Sequence, residues 1–141
     1  MTYMEGCTFC DIYKRPGRTE IIVRKSDHYV IFDKYPASKG HLLIISNKHY
    51  ENMLETPNKT IISMMTTSKM FGKLFMDRLD ADGVKITTNI GAAANQVIMH
   101  THIHVIPRYL PHKHKDFRPH EEILHNERAE LRVRILRALK K

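Results

Sequence analysis

The 141-residue sequence has no tryptophan, only two cysteines, and no stretch approaching the roughly 18 apolar residues of a membrane span. Two cysteines cannot form the framework of a disulfide-rich secreted module. Hydrophobic residues at 42% and charged residues at 27% exclude wholesale disorder and a collagen repeat. The N-terminus also lacks a basic-then-apolar signal pattern. We therefore expect a soluble, cytoplasmic protein with no membrane partner.

Acidic residues are also scarce, since the chain has 15 Asp and Glu but 23 Lys and Arg. The formal net charge is therefore +8 when the ten histidines are counted as neutral. This balance favours anionic partners, but it does not separate nucleotides from RNA or acidic membranes. The length allows one domain. We predict a single domain over 1–141, with a core at about 7–109 and a C-terminal helical extension at about 110–141.

Runs rich in β-branched and aromatic residues, separated by turn chemistry, predict five strands at 21–24, 29–32, 41–45, 84–89 and 98–106. Thr56 is the expected N-cap of a long helix that has Pro57 at its first position and ends near Leu79. A last helix is expected from about His120 to Lys140, because acidic residues open it and basic residues close it. The order predicts an α+β fold with a mostly antiparallel sheet.

Three alternating histidines carry the strongest chemical signal. On a strand, His100, His102 and His104 point to the same side. Three solvated histidines on an edge strand are a disfavoured interpretation. Exposed strand positions usually vary in residue type, whereas all three of these are the residue that titrates near neutrality. Neutral imidazoles could bind a transition metal, or one histidine could attack phosphorus while its neighbours orient it. Spacing alone leaves both open.

The two cysteines form a second motif, Cys7-Thr8-Phe9-Cys10. In a reducing compartment, this C-x-x-C spacing indicates metal binding or redox chemistry rather than a structural disulfide.

In combination, these motifs resemble the histidine triad (HIT) family, whose signature is His-x-His-x-His followed by apolar residues. The resemblance covers about 7–108 in the right order, through the segments 7–12, 32–36, 39–45, 48–49, 89–91, 95–96 and 100–108. It implies a HIT-like fold, a five-stranded antiparallel sheet with one long helix and a C-terminal helix. It also implies a homodimer and a purine nucleotide whose α-phosphate lies over the triad.

The resemblance further implies an enzyme, a hydrolase of dinucleotide polyphosphates or nucleoside phosphoramidates. His102 would form a nucleotidyl-histidine intermediate that water then hydrolyses, and His104 would contact the phosphate and the leaving-group side. His100 would support the group, and His41 would hydrogen-bond within it and select a tautomer. A neutral imidazole, with its usual pKa of about 6.5, suits the nucleophile.

For the substrate, the resemblance implies that Phe9, Ile12 and Ile31 form an apolar slot for the base. It also implies that Asp33 accepts hydrogen bonds from the ribose hydroxyls, and that Asn89 and Gln96 donate to phosphate oxygens. Core packing is an equally good reading of each apolar residue taken singly, and a turn role is the alternative for Asp33.

The resemblance also implies a structural zinc site and no organic cofactor. Its ligands would be Cys7, Cys10, His49 and His100. A reduced C-x-x-C without metal is the alternative. If His100 binds zinc, we expect its second ring nitrogen to face the catalytic group.

Two positions depart from the family pattern. Where the family often has Gly-Gln followed by Ser or Thr, this chain has Asn95-Gln96-Val97, so a small residue and a hydroxyl donor are missing. A HIT-fold nucleotide-binding or interaction module with weak catalysis is therefore the alternative function.

Nucleic acid binding through the basic C-terminus is possible but not favoured over a solvated helix face. A metal held by His102 and His104 is the weakest alternative, and histidine at the third triad position favours hydrolysis over transfer.

Overall fold

The computed structural model describes residues 3–140, so the ends of the predicted domain (Met1, Thr2 and Lys141) lie outside the described residues. The elements, in chain order, are α1 (Thr8–Lys14), β1 (Ile21–Arg24), β2 (His28–Phe32), β3 (Leu42–Ser46), α2 (Asn58–Arg78), β4 (Gly83–Thr87), β5 (His102–Arg108) and α3 (His125–Leu139). The five strands form one antiparallel sheet in the order β1-β2-β3-β5-β4, which confirms the predicted α+β class. Within the described residues, no helix is both long enough and apolar enough to cross a membrane.

Both faces of the sheet are covered, so every residue of β2 and β3 is buried. On one face, alternate residues such as Val30 and Ile44 pack against α2 and α3. On the other face, Tyr29 and Ile45 pack against α1. Because successive strand residues point to opposite faces, a strand covered on both sides is a continuous apolar run. The apolar run at 41–45 noted in the sequence has this cause.

The long helix begins later than its capping residue suggested. The prediction of Thr56 as N-cap is wrong, because the N-cap is Pro57 and it has no side-chain capping bond. The Thr56 hydroxyl instead donates to the carbonyl of Asn52 at 2.9 Å, and it lies 2.7 Å from the hydroxyl of Thr101. The Thr56 side chain therefore makes a buried tertiary contact with Thr101 instead of the helix-capping bond that the local sequence predicted.

The last strand begins at His102, four residues after its predicted start. Before it, the backbone N–H of Thr101 donates to the carbonyl of Tyr50, and that of His100 donates to the carbonyl of Ile98. The backbone N–H groups of His100 and Thr101 therefore bond to loops, while the carbonyl of Thr101 still accepts the N–H of Ser46 at the end of β3. The prediction that three histidines share one strand is wrong, since only His102 and His104 lie on β5.

The last helix also begins later than predicted, at His125 rather than His120. In the preceding segment, the N–H of Ile123 donates to the carbonyl of Lys34 at 3.0 Å, so its backbone is satisfied by the turn after β2. Farther along α3, Arg132 Nε donates to the carbonyl of Ile21 at 2.9 Å. The helix thus lies along the outer edge of β1, which protects that edge from pairing with another strand.

Candidate active site and metal centre

A row of paired residues crosses the sheet from β5 to β1. His104 is opposite Leu43, Leu43 is opposite Ile31, and Ile31 is opposite Ile21. A cavity of about 730 Å³ lies beside this row. Its lining includes seven of the residues predicted for catalysis and substrate binding: Phe9, Ile12, Ile31, Asp33, Asn89, His102 and His104. The fold thus brings together residues separated by up to 95 positions in sequence.

The hydrogen bonds of His102 determine which ring nitrogen carries its proton. Its Nδ1 lies 2.6 Å from the carbonyl oxygen of His100, which can only accept, so Nδ1 donates. In the neutral ring, Nε2 then keeps a lone pair. Burial lowers the pKa of His102, which keeps the ring neutral at neutral pH. His102 is therefore arranged as a nucleophile at Nε2.

His41 and His104 form a second directed chain. The backbone N–H of Ala37 donates to His41 Nδ1 at 2.9 Å, so the proton of neutral His41 is on Nε2. That Nε2 lies 2.9 Å from His104 Nδ1 and donates to it, which leaves the proton of His104 on its own Nε2. Burial lowers the pKa of His41 to about 3 and that of His104 to about 4, so both stay neutral. His104 can therefore present an N–H donor to a phosphate or a leaving group.

Asp33 lies between this chain and the apolar slot. Its Oδ2 is 3.4 Å from His41 Nε2, and its Oδ1 accepts the backbone N–H of Tyr35 at 2.8 Å. Burial raises the pKa of Asp33, although the bond from Tyr35 opposes this shift. The carboxylate keeps acceptor capacity at the cavity wall, as contact with ribose hydroxyls requires. Asn89, which also lines the cavity, donates from Nδ2 to the carbonyl of Asn95 at 3.1 Å.

Gln96, predicted as a phosphate donor, does not line this cavity. Its side chain is buried, accepts the N–H of Gly91 at 2.8 Å and donates to the carbonyls of Glu51 and Ile98. In this structure the Gln96 amide holds the loop before β5 through backbone partners, and its role as a phosphate donor stays a prediction.

The two departures from the family pattern differ in consequence. Asn95 has a left-handed backbone with φ of 69°. Glycine adopts this conformation freely, and asparagine is among the residues that tolerate it best, so Asn95 replaces glycine at small cost. Val97 lines the cavity with a side chain that is 88% exposed, and it offers no hydrogen-bonding group.

The four predicted zinc ligands converge in a buried cluster on the α1 side of the sheet. Their ligand atoms all lie within 4.8 Å of one another. His100 Nδ1 lies 3.3 Å from Cys7 Sγ, 3.5 Å from Cys10 Sγ and 3.2 Å from His49 Nδ1. Ligand atoms around a tetrahedral zinc are about 3.3 to 3.8 Å apart, and the distances from His100 Nδ1 lie in or close to this range, so this Cys₂His₂ set suits zinc.

The orientation of His100 supports the same fit. Its Nε2 donates to the carbonyl of Ser46 at 2.7 Å, which leaves the lone pair of Nδ1 directed into the cluster. The expectation that the second ring nitrogen faces the catalytic group is therefore wrong. The cluster reaches the catalytic group through the backbone instead, because the carbonyl of His100 accepts the bond from His102.

A second group of potential ligands, Asp33, His41 and His104, is a hydrogen-bonded network. The 2.9 Å between His41 Nε2 and His104 Nδ1 is shorter than the roughly 3.3 Å between two nitrogens on one zinc. Among residues 3–140, His102 belongs to neither group of candidate ligands. The geometry thus disfavours the metal-centred alternative for the triad.

Sequence reasoning missed one end of the cavity, lined by Arg18, Thr19, Glu20, Lys34, Tyr35 and Arg128. Glu20 and Arg128 are 108 positions apart and meet only because α3 returns to the edge of β1, with Arg128 Nε 2.9 Å from Glu20 Oε2. No local sequence motif predicts such a pair.

Comparisons with known proteins agree with this arrangement. A family model described as the HIT domain matches residues 16–110. An adenylylsulfatase from Arabidopsis thaliana is 35% identical over 107 residues, which are 76% of this chain and 54% of that protein. A hypothetical histidine triad nucleotide-binding protein from Sulfolobus tokodaii superposes with a TM-score of 0.85 at 35% identity, covering 95% of this chain and 92% of that one. A zinc-bound histidine triad family protein from Mycobacterium smegmatis superposes with a TM-score of 0.78 at 26% identity, covering 96% of each chain.

Proposed function

From the premise that this chain belongs to the HIT family, we propose that it is a nucleotide hydrolase acting through a covalent nucleotidyl intermediate on His102. The observation that carries the proposal is the pair of directed hydrogen-bond chains, which leave a lone pair on His102 Nε2 and a proton on His104 Nε2. A nucleophile and a donor thus line the same cavity.

The proposed reaction has two displacements at the α-phosphorus. In the first, the lone pair of His102 Nε2 forms a bond to phosphorus, and the bond to the leaving group breaks with its electron pair. In the second, water attacks phosphorus and gives one proton to the solvent, and the N–P bond breaks with its electron pair returning to His102 Nε2 as the nucleoside monophosphate is released. His104 Nε2–H stabilises negative charge on the phosphate or the leaving group in both steps. Asp33 accepts ribose hydroxyls, while Phe9 and Ile12 contact the base.

For the leaving group we propose sulfate, a polyphosphate or an amine, in that order. The named activity of the Arabidopsis relative supports sulfate, although the match spans 54% of that protein. Val97 supports the same order, because it supplies no hydroxyl to assist an amine, which needs a proton to depart. Sulfate leaves readily as an anion.

Zinc is the proposed structural metal. Bound by the two cysteines, His49 and His100, it would cross-link α1 to the segments before α2 and β5. Burial raises the pKa of Cys10 to about 11, and a metal cation supplies the charge that holds a buried thiolate. Thiols that must stay reduced for this purpose suit the cytoplasm, where we place the protein.

A homodimer is the proposed assembly. On α2, Ile62, Met65 and Met76 are exposed and fall within one helical stripe. Gly72 on the same side of the helix faces Ile86 of the edge strand β4, itself 38% exposed. An apolar helix stripe beside an open strand edge suits a second copy of the chain.

Turnover and intermediate trapping test the function together. We expect hydrolysis of adenosine 5′-phosphosulfate, a dinucleotide polyphosphate and a phosphoramidate at measurable, different rates, and a radiolabelled nucleotidyl adduct on quenched enzyme. His102→Ala should abolish both while still binding AMP. Near-full activity in that variant would end the mechanism, and tight binding of a nucleoside monophosphate without turnover of any substrate would favour the binding module.

A further inference from the structure

The end of the cavity farthest from His102 holds a nearly buried carboxylate. The side chain of Glu20 is 9% exposed, and its oxygens lie 2.6 Å from His125 Nδ1 and 2.9 Å from Arg128 Nε. Glu20 and Arg128 also line the cavity that holds the triad. Burial of a carboxylate is costly, and these two partners from α3 offset part of that cost while fixing its position.

Both groups retain hydrogen-bonding capacity. A carboxylate has about four acceptor positions, and the contacts with His125 and Arg128 use two of them. Arg128 also donates from Nη1 to the carbonyl of Ile123, while its Nη2 has no hydrogen-bond partner among residues 3–140. The cavity end therefore presents an acceptor pair beside a donor.

The cross-strand row places this end at nucleotide distance from the phosphate site. His104, Leu43, Ile31 and Ile21 are successive neighbours on four strands. At about 4.8 Å per strand, the row spans about 14 Å. Glu20 directly precedes Ile21 and lines the same cavity as Ile31, Leu43 and His104, so a nucleotide with its phosphate beside His104 would extend its base towards Glu20.

Resting on the proposed function, we propose that Glu20 and Arg128 recognise the hydrogen-bonding edge of the base and select guanine over adenine. Guanine offers N1–H and N2–H to the two carboxylate oxygens and accepts at O6 from Arg128 Nη2. Adenine offers one amino group, and its N1 lone pair would face a carboxylate oxygen. Selection thus combines matched bonds for one base with repulsion of the other.

Arg128 lies on α3, outside residues 16–110 matched by the family model, and Glu20 holds it in place. A C-terminal helix that packs on its own sheet thereby supplies a specificity-determining residue. The same contacts occupy two of its basic groups, Arg128 and Arg132, within the subunit, which disfavours nucleic acid binding by that face of the helix.

Calorimetric binding of the products GMP, IMP and AMP to the full chain tests the proposal. We expect affinity to fall in the order GMP, IMP, AMP, with GMP about tenfold tighter than AMP, because inosine keeps N1–H and O6 but lacks the 2-amino group. Glu20→Gln should reduce the GMP-to-AMP ratio to about twofold or less, since its amide group places a donor against guanine N–H groups. Arg128→Gln should reduce the same ratio by removing the donor to O6.

Arg132→Gln is the matched control, because Arg132 holds α3 to β1 through a backbone carbonyl without lining the cavity. It should keep the ratio of the unmodified protein. AMP binding as tight as GMP in the unmodified protein, or an unchanged ratio in either cavity variant, would overturn the proposal. The nucleotide order needs no variant, so misfolding of Glu20→Gln leaves the test intact. His102-dependent hydrolysis with no base preference would leave the proposed function standing and refute this inference alone, whereas no nucleotide binding would end both.

Discussion

Replacing His41 by phenylalanine tests the directed chain from which the catalytic roles are derived. Phenylalanine keeps an aromatic ring, slightly larger than imidazole, but cannot accept the N–H of Ala37 or donate to His104 Nδ1. Without that donor, the His104 ring is free to carry its proton on Nδ1, where it is useless to the substrate. The predicted loss is therefore in the chemical step rather than in nucleotide binding.

The size of the effect follows from the two broken bonds. Loss of one preorganised donor to transition-state charge costs about 10² to 10³ in kcat, and we expect about 10² because His104 still adopts the productive tautomer part of the time. The buried N–H of Ala37 also loses its acceptor, which lowers the free energy of unfolding by about 1–3 kcal/mol. KM should change little, because the residues proposed to contact the base, Phe9, Ile12 and Ile31, are unaltered.

Steady-state kinetics on the best substrate, with AMP affinity and urea unfolding measured alongside, separate these effects. His28→Phe is the stability control, because His28 is also buried and bonded at both nitrogens, to Asp27 and Thr67, yet it does not line the cavity. It should unfold more easily and keep its kcat. If His41→Phe retained kcat within about threefold, the tautomer argument would be refuted.

Three further outcomes are expected. Purified protein should contain one zinc per chain by metal analysis, and Cys10→Ser should lose the metal and lower Tm by about 10 °C or more; absence of zinc in protein prepared without chelators would contradict this. The free energy of unfolding should fall as pH drops from about 6.5 towards about 3 to 4, because the pKa values of His41 and His104 are lowered to about 3 and 4 in the folded chain while the unfolded chain binds protons at about 6.5; a flat urea midpoint over that range would argue against neutral buried rings. Thr67→Val should destabilise the fold by about 1–3 kcal/mol, since it removes the partner of His28 Nε2, and unchanged urea unfolding would show that this bond contributes nothing.

Local pattern was sufficient for the sheet and for the longest helix. The apolar runs at 29–32 and 41–45 correspond to β2 and β3 within one residue at each end. Element ends were less predictable, because Thr56 and Thr101 bond to groups far away in sequence. The short helix α1 was not predicted, since seven residues contain too little periodicity to be detected.

The sequence by itself determined the family of this protein, because motif order and spacing place three histidines, an aspartate and a Cys-x-x-Cys pair in a recognisable set. It could not determine which ring nitrogen of each histidine donates and which accepts. Tertiary structure decided that, since a ring nitrogen donates or accepts according to the backbone group it meets, and His100 meets Ser46 while His41 meets Ala37. Tertiary structure alone also showed that α3 reaches the far end of the cavity. Glu20 and Arg128 are 108 positions apart, and no local sequence pattern predicts a contact over that separation.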